Sequence, residues 1–271
     1  MRRMSSKILL FFMPLLLIVV YMLAAVGLQL VVPSPVAAQT LVNLVVIVGG
    51  FLLYRKKRFR REFLKEPEEP FRPKAWAVFL FLCLIFLLWF FTQCMALCVS
   101  SHVADAGMNA YQDTANNEIA MYVLMSVAVS PIAEEFLFRA GLFQTWKHMM
   151  HPLYAMFLSS VLFAVVHGTF QHLPVAFLIG VFNCVIWELT GSILYPMVTH
   201  ILFNFLGVSM LIPINESAQF LFSIPFAVIS FVFILVCLLW MYARRAAIRK
   251  FVTSDHLIDY LNRKWDEDEK Q

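Results

Sequence analysis

The chain alternates long apolar runs with short polar segments, a pattern that predicts helices crossing a membrane. A helix needs about 20 apolar residues to span the hydrocarbon core of a bilayer. Eight runs are candidates, and the connections joining the fifth, sixth and seventh are very short. The runs cover residues 8–32, 40–54, 75–99, 119–143, 153–170, 173–189, 192–208 and 219–243. We therefore expect an all-α membrane protein, a polytopic bundle of about eight transmembrane helices.

The composition excludes a soluble enzyme. Hydrophobic residues make up 61% of the 271 residues and charged residues 14%, whereas a soluble globular chain has about 25% charged residues. Mean hydropathy is +0.78. The five cysteines lie in or beside apolar runs and form no Cys-x-x-Cys pair, which disfavours a disulfide framework and a thiolate metal site.

The first apolar run has features of a secretion signal, because basic residues precede it and Pro35–Ala38 resembles a signal-peptidase site. The apolar region of a signal peptide spans about 7–15 residues. Residues 8–32 are longer than this and carry no charge. We expect them to be retained as the first helix.

The basic residues are distributed unevenly among the connections. Of 21 Lys and Arg, nine lie in segment 55–74, three precede the first run and seven follow Ala243. None lies in 33–39, 101–118 or 209–218. By the positive-inside rule both termini and segment 55–74 face the cytoplasm, in the plasma membrane if the cell is bacterial. Basic residues beside apolar runs indicate membrane orientation, with no nucleic-acid partner expected. We expect segment 55–74 to be a solvated loop or a stretch lying on the inner leaflet.

Ionisable and amide side chains are concentrated in three of the predicted spans. They are Glu134, Glu135 and Arg139 in the fourth span, His167 in the fifth, and His200 and Asn204 in the seventh. At about 1.5 Å per residue, Glu134, His167 and His200 lie roughly 14, 21 and 12 Å from the presumed cytoplasmic ends. An ionisable group at such depth usually lines a cavity or pairs with another group. The set predicts a functional site.

Helical spacing predicts which of these side chains meet. Glu135 and Arg139 are four residues apart, which suits an ion pair. His200 and Asn204 are also four apart and share a helix face. Glu134, one position from Glu135, is expected to point away from the ion pair and into a cavity.

These residue types support two kinds of hydrolytic chemistry. A carboxylate and a histidine around one water form a general base, and a second histidine with an amide can donate hydrogen bonds to an oxyanion. Peptide hydrolysis needs both functions. Glu134, His167 and His200 could instead hold a zinc ion. No His-Glu-x-x-His motif is present, so zinc ligands would have to come from three helices.

Three short motifs follow one another along these spans. They read Glu134-Glu135-x-x-x-Arg139, Phe163-x-x-x-His167 and His200-x-x-x-Asn204. In this order they resemble the motifs of the CAAX-protease and bacteriocin-processing family of intramembrane endopeptidases (CPBP, also called Abi). Thr190-Gly191-Ser192, before the third motif, is also similar, and the resemblance covers about 120–208. Ala140 stands where the family commonly has glycine, and Gly141 follows it.

The resemblance implies an eight-helix intramembrane protease whose active site opens toward the cytoplasm and inner leaflet. Carried over, Glu134 and His167 act on the nucleophilic water, and His200 and Asn204 face the oxyanion. Glu135 and Arg139 support them. The family has been described both as zinc-dependent and as metal-independent. We expect the metal-independent glutamate mechanism, with no cofactor, and keep zinc bound by Glu134, His167 and His200 as the alternative.

The expected partners are the lipid bilayer and a membrane-associated peptide or protein substrate whose identity the sequence does not specify, as it does not specify the oligomeric state. A catalytically silent scaffold or bacteriocin-immunity protein is the main alternative, and a transporter using Glu134 and Arg139 is a further one.

The expected organisation is N-terminal spans in 1–118, a catalytic core in 119–208, a last span in 209–243 and a cytoplasmic tail in 244–271.

Overall fold

A computed structural model describes residues 2–68, 71–102, 118–168, 170, 172–209 and 223–253. These residues form nine helices and no strand. The helices are α1 (Arg2–Leu28), α2 (Pro35–Tyr54), α3 (Ala75–His102), α4 (Ile119–Lys147), α5 (Pro152–Val166), α6 (Leu173–Thr190), α7 (Leu194–Ser209), α8 (Ile224–Ala243) and α9 (Arg245–Thr253). A π-helical turn, Phe59–Phe63, lies between α2 and α3. The predicted loops 101–118 and 209–218 and the tail beyond 253 lie largely outside the described residues.

The eight predicted apolar runs correspond to α1–α8, which confirms the all-α polytopic class. Six of these helices are long and apolar enough to cross a membrane, whereas α5 and α7 are shorter. Some helix ends differ from the prediction. Helix α2 begins at Pro35, because Ser34 caps it by accepting the Ala37 N–H at 3.0 Å. Helix α5 stops at Val166, and Gly168 follows with a φ of +73°.

Helix α4 is interrupted by two π-helical stretches, Met125–Val129 and Glu135–Phe143. Pro131 lies between them and has no N–H to donate to the preceding turn. Just before it, the Ser130 N–H bonds the Met125 carbonyl, five residues earlier, rather than a carbonyl four residues earlier as in an α-helix. Such π-helical insertions occur frequently at functional sites. In this helix the second stretch begins at one of the candidate site residues.

Helix α6 is the centre of the bundle. Of its residues 78% are buried, against 17–33% of the most apolar window in each of the other membrane-length helices. Helix α6 is apolar on all sides, as a helix enclosed by others must be. It contacts α3, α5, α7 and α8. Helix α4 contacts both α6 and α7. The two helices that hold most of the candidate site residues, α4 and α7, therefore lie next to each other and beside the buried helix α6.

The described part of segment 55–74, which leaves out 69 and 70, contacts the bundle at Glu66, Leu64 and Phe71, a docking that the sequence did not predict. That the exposed basic side chains face water or the inner leaflet stays a prediction. The Glu66 carboxylate accepts hydrogen bonds from Ser192 Oγ at 3.1 Å and from the Ile193 N–H at 3.4 Å, just before α7. Gly191 has a φ of +74°, and a Cβ there would lie 2.7 Å from Pro67. Only glycine satisfies both constraints. The segment therefore docks on the turn between α6 and α7.

The basic segments lie at one end of the bundle. Glu188, at the end of α6, pairs with Lys147, and its second carboxylate oxygen lies 3.9 Å from Arg245 Nε. Leu64 and Phe71 of segment 55–74 are buried at the same end. Among the described side chains, Lys147, Arg245 and those of segment 55–74 therefore lie at the same end, as the topology prediction requires. That this end faces the cytoplasm stays a prediction.

Candidate active site

Glu135 and Arg139 form the predicted ion pair in the interior of the bundle. Glu135 Oε2 lies 3.1 Å from Arg139 Nε, and both side chains are at most 1% exposed. The two atoms are close but not aligned as a hydrogen bond. The guanidinium also lies over the Phe163 ring, 4.5 Å from its centroid. Charge pairing and the aromatic face together compensate the removal of Arg139 from water.

The second oxygen of Glu135 joins three helices. Glu135 Oε1 accepts a hydrogen bond from Asn183 Nδ2 at 2.8 Å and lies 2.8 Å from His200 Nδ1. Asn183 Oδ1 in turn accepts a hydrogen bond from Thr199 Oγ1 at 2.8 Å. Sequence reasoning did not single out Asn183. The available signal was an amide in the middle of an otherwise apolar span.

His200 lies between the two adjacent glutamates. Its Nδ1 contacts Glu135, and its Nε2 lies 3.7 Å from Glu134 Oε2. The second distance is too long for a direct hydrogen bond. A carboxylate only accepts, so the proton of a neutral His200 lies on Nδ1 and its Nε2 is an acceptor. His200 can donate from Nε2 only when it is protonated.

His167 is held at the C-terminal end of α5. Its Nδ1 lies 2.7 Å from the Phe163 carbonyl, and the two rings meet edge to face with centroids 4.5 Å apart. The carbonyl accepts the Nδ1 proton, which leaves a lone pair on Nε2. The side chain is exposed. His167 is therefore an oriented acceptor accessible from outside the core.

Asn204 is fixed by the first π-helical stretch of α4. Its Nδ2 donates a hydrogen bond to the Ser126 carbonyl at 2.9 Å. An amide nitrogen carries two hydrogens, so one N–H of Asn204 remains available. Asn204 and His200 share a face of α7, as their spacing predicted.

Two cavities meet at Glu134 and His167. The α7-side cavity has a volume of about 480 Å³, and its lining includes Glu134, His167, His200 and Asn204. The α1-side cavity has a volume of about 420 Å³, is bordered by α1 and α2, and also includes Glu134 and His167. The prediction that Glu134 faces a cavity is confirmed. Glu135 and Arg139 are buried and line neither cavity.

The glutamate and histidine side chains at the site are of types that bind zinc, but their positions do not form a zinc site. His167 and His200 both have Nδ1 engaged and Nε2 available, which is typical of histidine ligands with a second partner. In the part of the chain that the structure describes, however, no three His, Cys, Asp or Glu side chains converge on a position for a metal ion. Glu134, His167 and His200 are thus not arranged as a zinc site in this structure.

Comparisons with known proteins identify the segment that carries the site. Residues 116–206 match the family model described as type II CAAX prenyl endopeptidase Rce1-like. The chain is 27% identical over 99 residues to the Bacillus subtilis (strain 168) protein named "Putative membrane peptidase YdiL", covering 36% of this chain and 41% of that protein. The chain thus spans less than half of this curated relative. No solved structure matches.

Both matches agree with the CPBP resemblance seen in the motifs. The matched segment, 116–206, contains Glu134, Glu135, Arg139, His167, His200 and Asn204. The family resemblance is confirmed for this segment.

Proposed function

From the CPBP resemblance of residues 116–206, we propose that this integral membrane protein is an intramembrane endopeptidase. It hydrolyses a peptide bond in a membrane-associated protein or peptide. One observation carries the proposal: Glu134, His167, His200 and Asn204 line a single cavity at the protein interior. Helices α4, α5 and α7 each contribute to this set.

Glu134 is the general base in this proposal. Its side chain is 17% exposed, so water reaches the carboxylate from the cavity that Glu134 lines with His167, His200 and Asn204. His167 Nε2 accepts a second hydrogen bond from the same water and orients it. The water oxygen attacks the substrate carbonyl carbon, and its proton passes to Glu134. Glu134 then gives this proton to the leaving amine nitrogen as the peptide C–N bond breaks.

His200 and Asn204 stabilise the oxyanion. Asn204 offers the N–H that Ser126 does not use. His200 donates from Nε2 when that nitrogen carries a proton, with Nδ1 held by Glu135. Fixed donors aimed at a developing oxyanion are worth more in an enclosed site than in water.

The experiment compares purified wild type with Glu134→Gln on a panel of membrane peptides reconstituted in vesicles, including prenylated peptides with a CAAX C-terminus. The prenylated members follow the description of the matching family model. We expect wild type to cleave at least one peptide at a single bond. Glu134→Gln keeps the side-chain volume but loses the base, so it should cleave none. Glu62→Gln, an exposed carboxylate remote from the cavities, is the matched control and should cleave as wild type does.

Mass spectrometry of the products identifies the broken bond. Equal cleavage by Glu134→Gln and wild type would contradict the assignment of the base. Absence of cleavage by folded wild type across the panel would favour the scaffold alternative.

A further inference from the structure

A polar cluster links α1 and α2 to α4 beside Glu134. Tyr21 O–H donates to Asn43 Oδ1 at 2.7 Å, and Gln39 Nε2 donates both to Tyr21 and, at 3.2 Å, to Asn43 Oδ1. Asn43 Nδ2 donates to Ser130 Oγ at 2.8 Å. Asn43 is completely buried. Tyr21, Gln39 and Asn43 all lie outside the family-matching segment 116–206.

The hydrogen bonds of this cluster all run in one direction. Gln39 donates to Tyr21, Tyr21 to Asn43 and Asn43 to Ser130. Ser130 Oγ is therefore an acceptor for Asn43, and its own proton is left for another partner. Among the described residues no group accepts that proton. A chain of aligned hydrogen bonds polarises its last member, which makes Ser130 a better donor.

Ser130 lies beside the proposed general base. It lines both cavities, as Glu134 and His167 do. It is four residues before Glu134 on the same helix, so the two side chains share a face. No hydrogen bond joins Ser130 to Glu134 within the described chain. A carbonyl attacked by a water on Glu134 would come within reach of the Ser130 hydroxyl.

The oxyanion site formed by His200 and Asn204 offers few free hydrogen-bond donors, and Ser130 would add one. Asn204 has one N–H committed to Ser126, and His200 donates only when protonated. Ser130 is a neutral donor whose hydroxyl proton is always present. It approaches the shared space from α4, whereas His200 and Asn204 approach from α7.

We propose that the Ser130 hydroxyl binds the carbonyl oxygen of the scissile peptide bond and donates a hydrogen bond to the oxyanion. Tyr21, Gln39 and Asn43 are positioning residues that direct its proton toward the cavities. The proposal rests on the proposed protease function. It extends the active site to the N-terminal helices α1 and α2, which the family match does not include.

The direct test uses Ser130→Ala on a peptide that wild type cleaves and Glu134→Gln does not. Loss of one oxyanion donor lowers kcat by about 10²–10³-fold, and we expect a loss of this size with little change in KM. Ser130→Thr retains the hydroxyl and should restore most of the rate. Ser159→Ala, whose hydroxyl bonds the Met156 carbonyl within α5, is the matched control and should leave kcat unchanged.

A double-mutant cycle tests the direction of the cluster. Tyr21→Phe removes the donor to Asn43 and should lower kcat in the presence of Ser130 but not in a Ser130→Ala background. An unchanged kcat for Ser130→Ala would overturn the donor role. Equal effects of Tyr21→Phe in both backgrounds would overturn the positioning role. Because every comparison requires an active wild type, failure of the protease proposal itself would show earlier, as an absence of any cleavage.

Discussion

His200 and Glu135 are joined in the interior of the bundle, with Nδ1 2.8 Å from Oε1 and both side chains almost fully buried. This contact fixes the ring so that Nε2 faces the neighbouring carboxylate, Glu134. It also fixes which nitrogen carries the proton of the neutral ring. The buried glutamate thereby orients a histidine in the cavity. Its own charge is compensated by Arg139 from the next helical turn.

Removing Arg139 should destabilise the fold. Arg139→Met leaves Glu135 buried without its cation, a change that costs about 3–5 kcal/mol. Thermal unfolding of the purified protein in detergent measures the loss. The double variant Glu135→Gln/Arg139→Met removes both charges and keeps an acceptor for Asn183, so it should recover most of the stability. Unfolding temperatures of Arg139→Met equal to those of wild type would contradict the pairing.

Asn183 should matter for both stability and activity. Asn183→Leu removes a donor to Glu135 and an acceptor for Thr199 inside the core. A buried polar group left without its partner costs about 1–3 kcal/mol. We also expect a lower kcat, because Glu135 then holds His200 less firmly. Thr199→Val is the control: it removes the hydroxyl that bonds Asn183 Oδ1 and the Pro196 carbonyl but leaves the Asn183–Glu135 hydrogen bond, so it should have the smaller effect in both measurements. The reverse order would contradict the network.

The sequence predicted the main residues of this site but not the contacts between helices that hold them in place. The Glu135–Arg139 pair could be predicted because two residues four apart in a helix face each other whatever surrounds them. The contact of Asn183 with Glu135 could not, because it depends on how α4 and α6 pack. The same holds for Asn43 and Ser130, 87 residues apart.

The fold, too, could be predicted from the sequence only in part. Apolar runs predicted the helices because burying a polar backbone in lipid leaves few alternatives to a helix. The docking of segment 55–74 depends on tertiary contacts such as those of Glu66 with Ser192 and Ile193. Charge counting described that segment only as basic.

Glu66 should stabilise the turn before α7. Glu66→Ala removes the acceptor for Ser192 and for the Ile193 N–H, and also the acceptor for the Tyr54 O–H at the end of α2. Loss of a helix cap alone costs about 0.5–2 kcal/mol. Thermal unfolding should show a decrease of at least this size for Glu66→Ala. Glu68→Ala, at an exposed position in the same segment, should unfold as wild type does. Equal decreases for the two variants would point to a general charge effect and contradict the cap.

The orientation of the bundle can be tested by labelling single cysteines in intact cells. Lys57 lies in the basic segment 55–74, and Val31 lies just after α1, next to segment 33–39, which carries no Lys or Arg; both residues are exposed. In a background without the native cysteines, an impermeant thiol reagent should label Val31→Cys directly. It should label Lys57→Cys only after the membrane is permeabilised. Labelling of Lys57→Cys from outside would invert the topology and place the basic segment on the other side.

The central claim is that Glu134 activates water without a metal ion. The most direct measurement is cleavage of one membrane peptide by wild type and Glu134→Gln after exhaustive chelation, with the bound metal quantified in both preparations. Our account predicts full activity of chelated wild type, no bound metal and no cleavage by Glu134→Gln. Loss of wild-type activity on chelation, restored by stoichiometric zinc, would contradict it and favour zinc held by Glu134, His167 and His200.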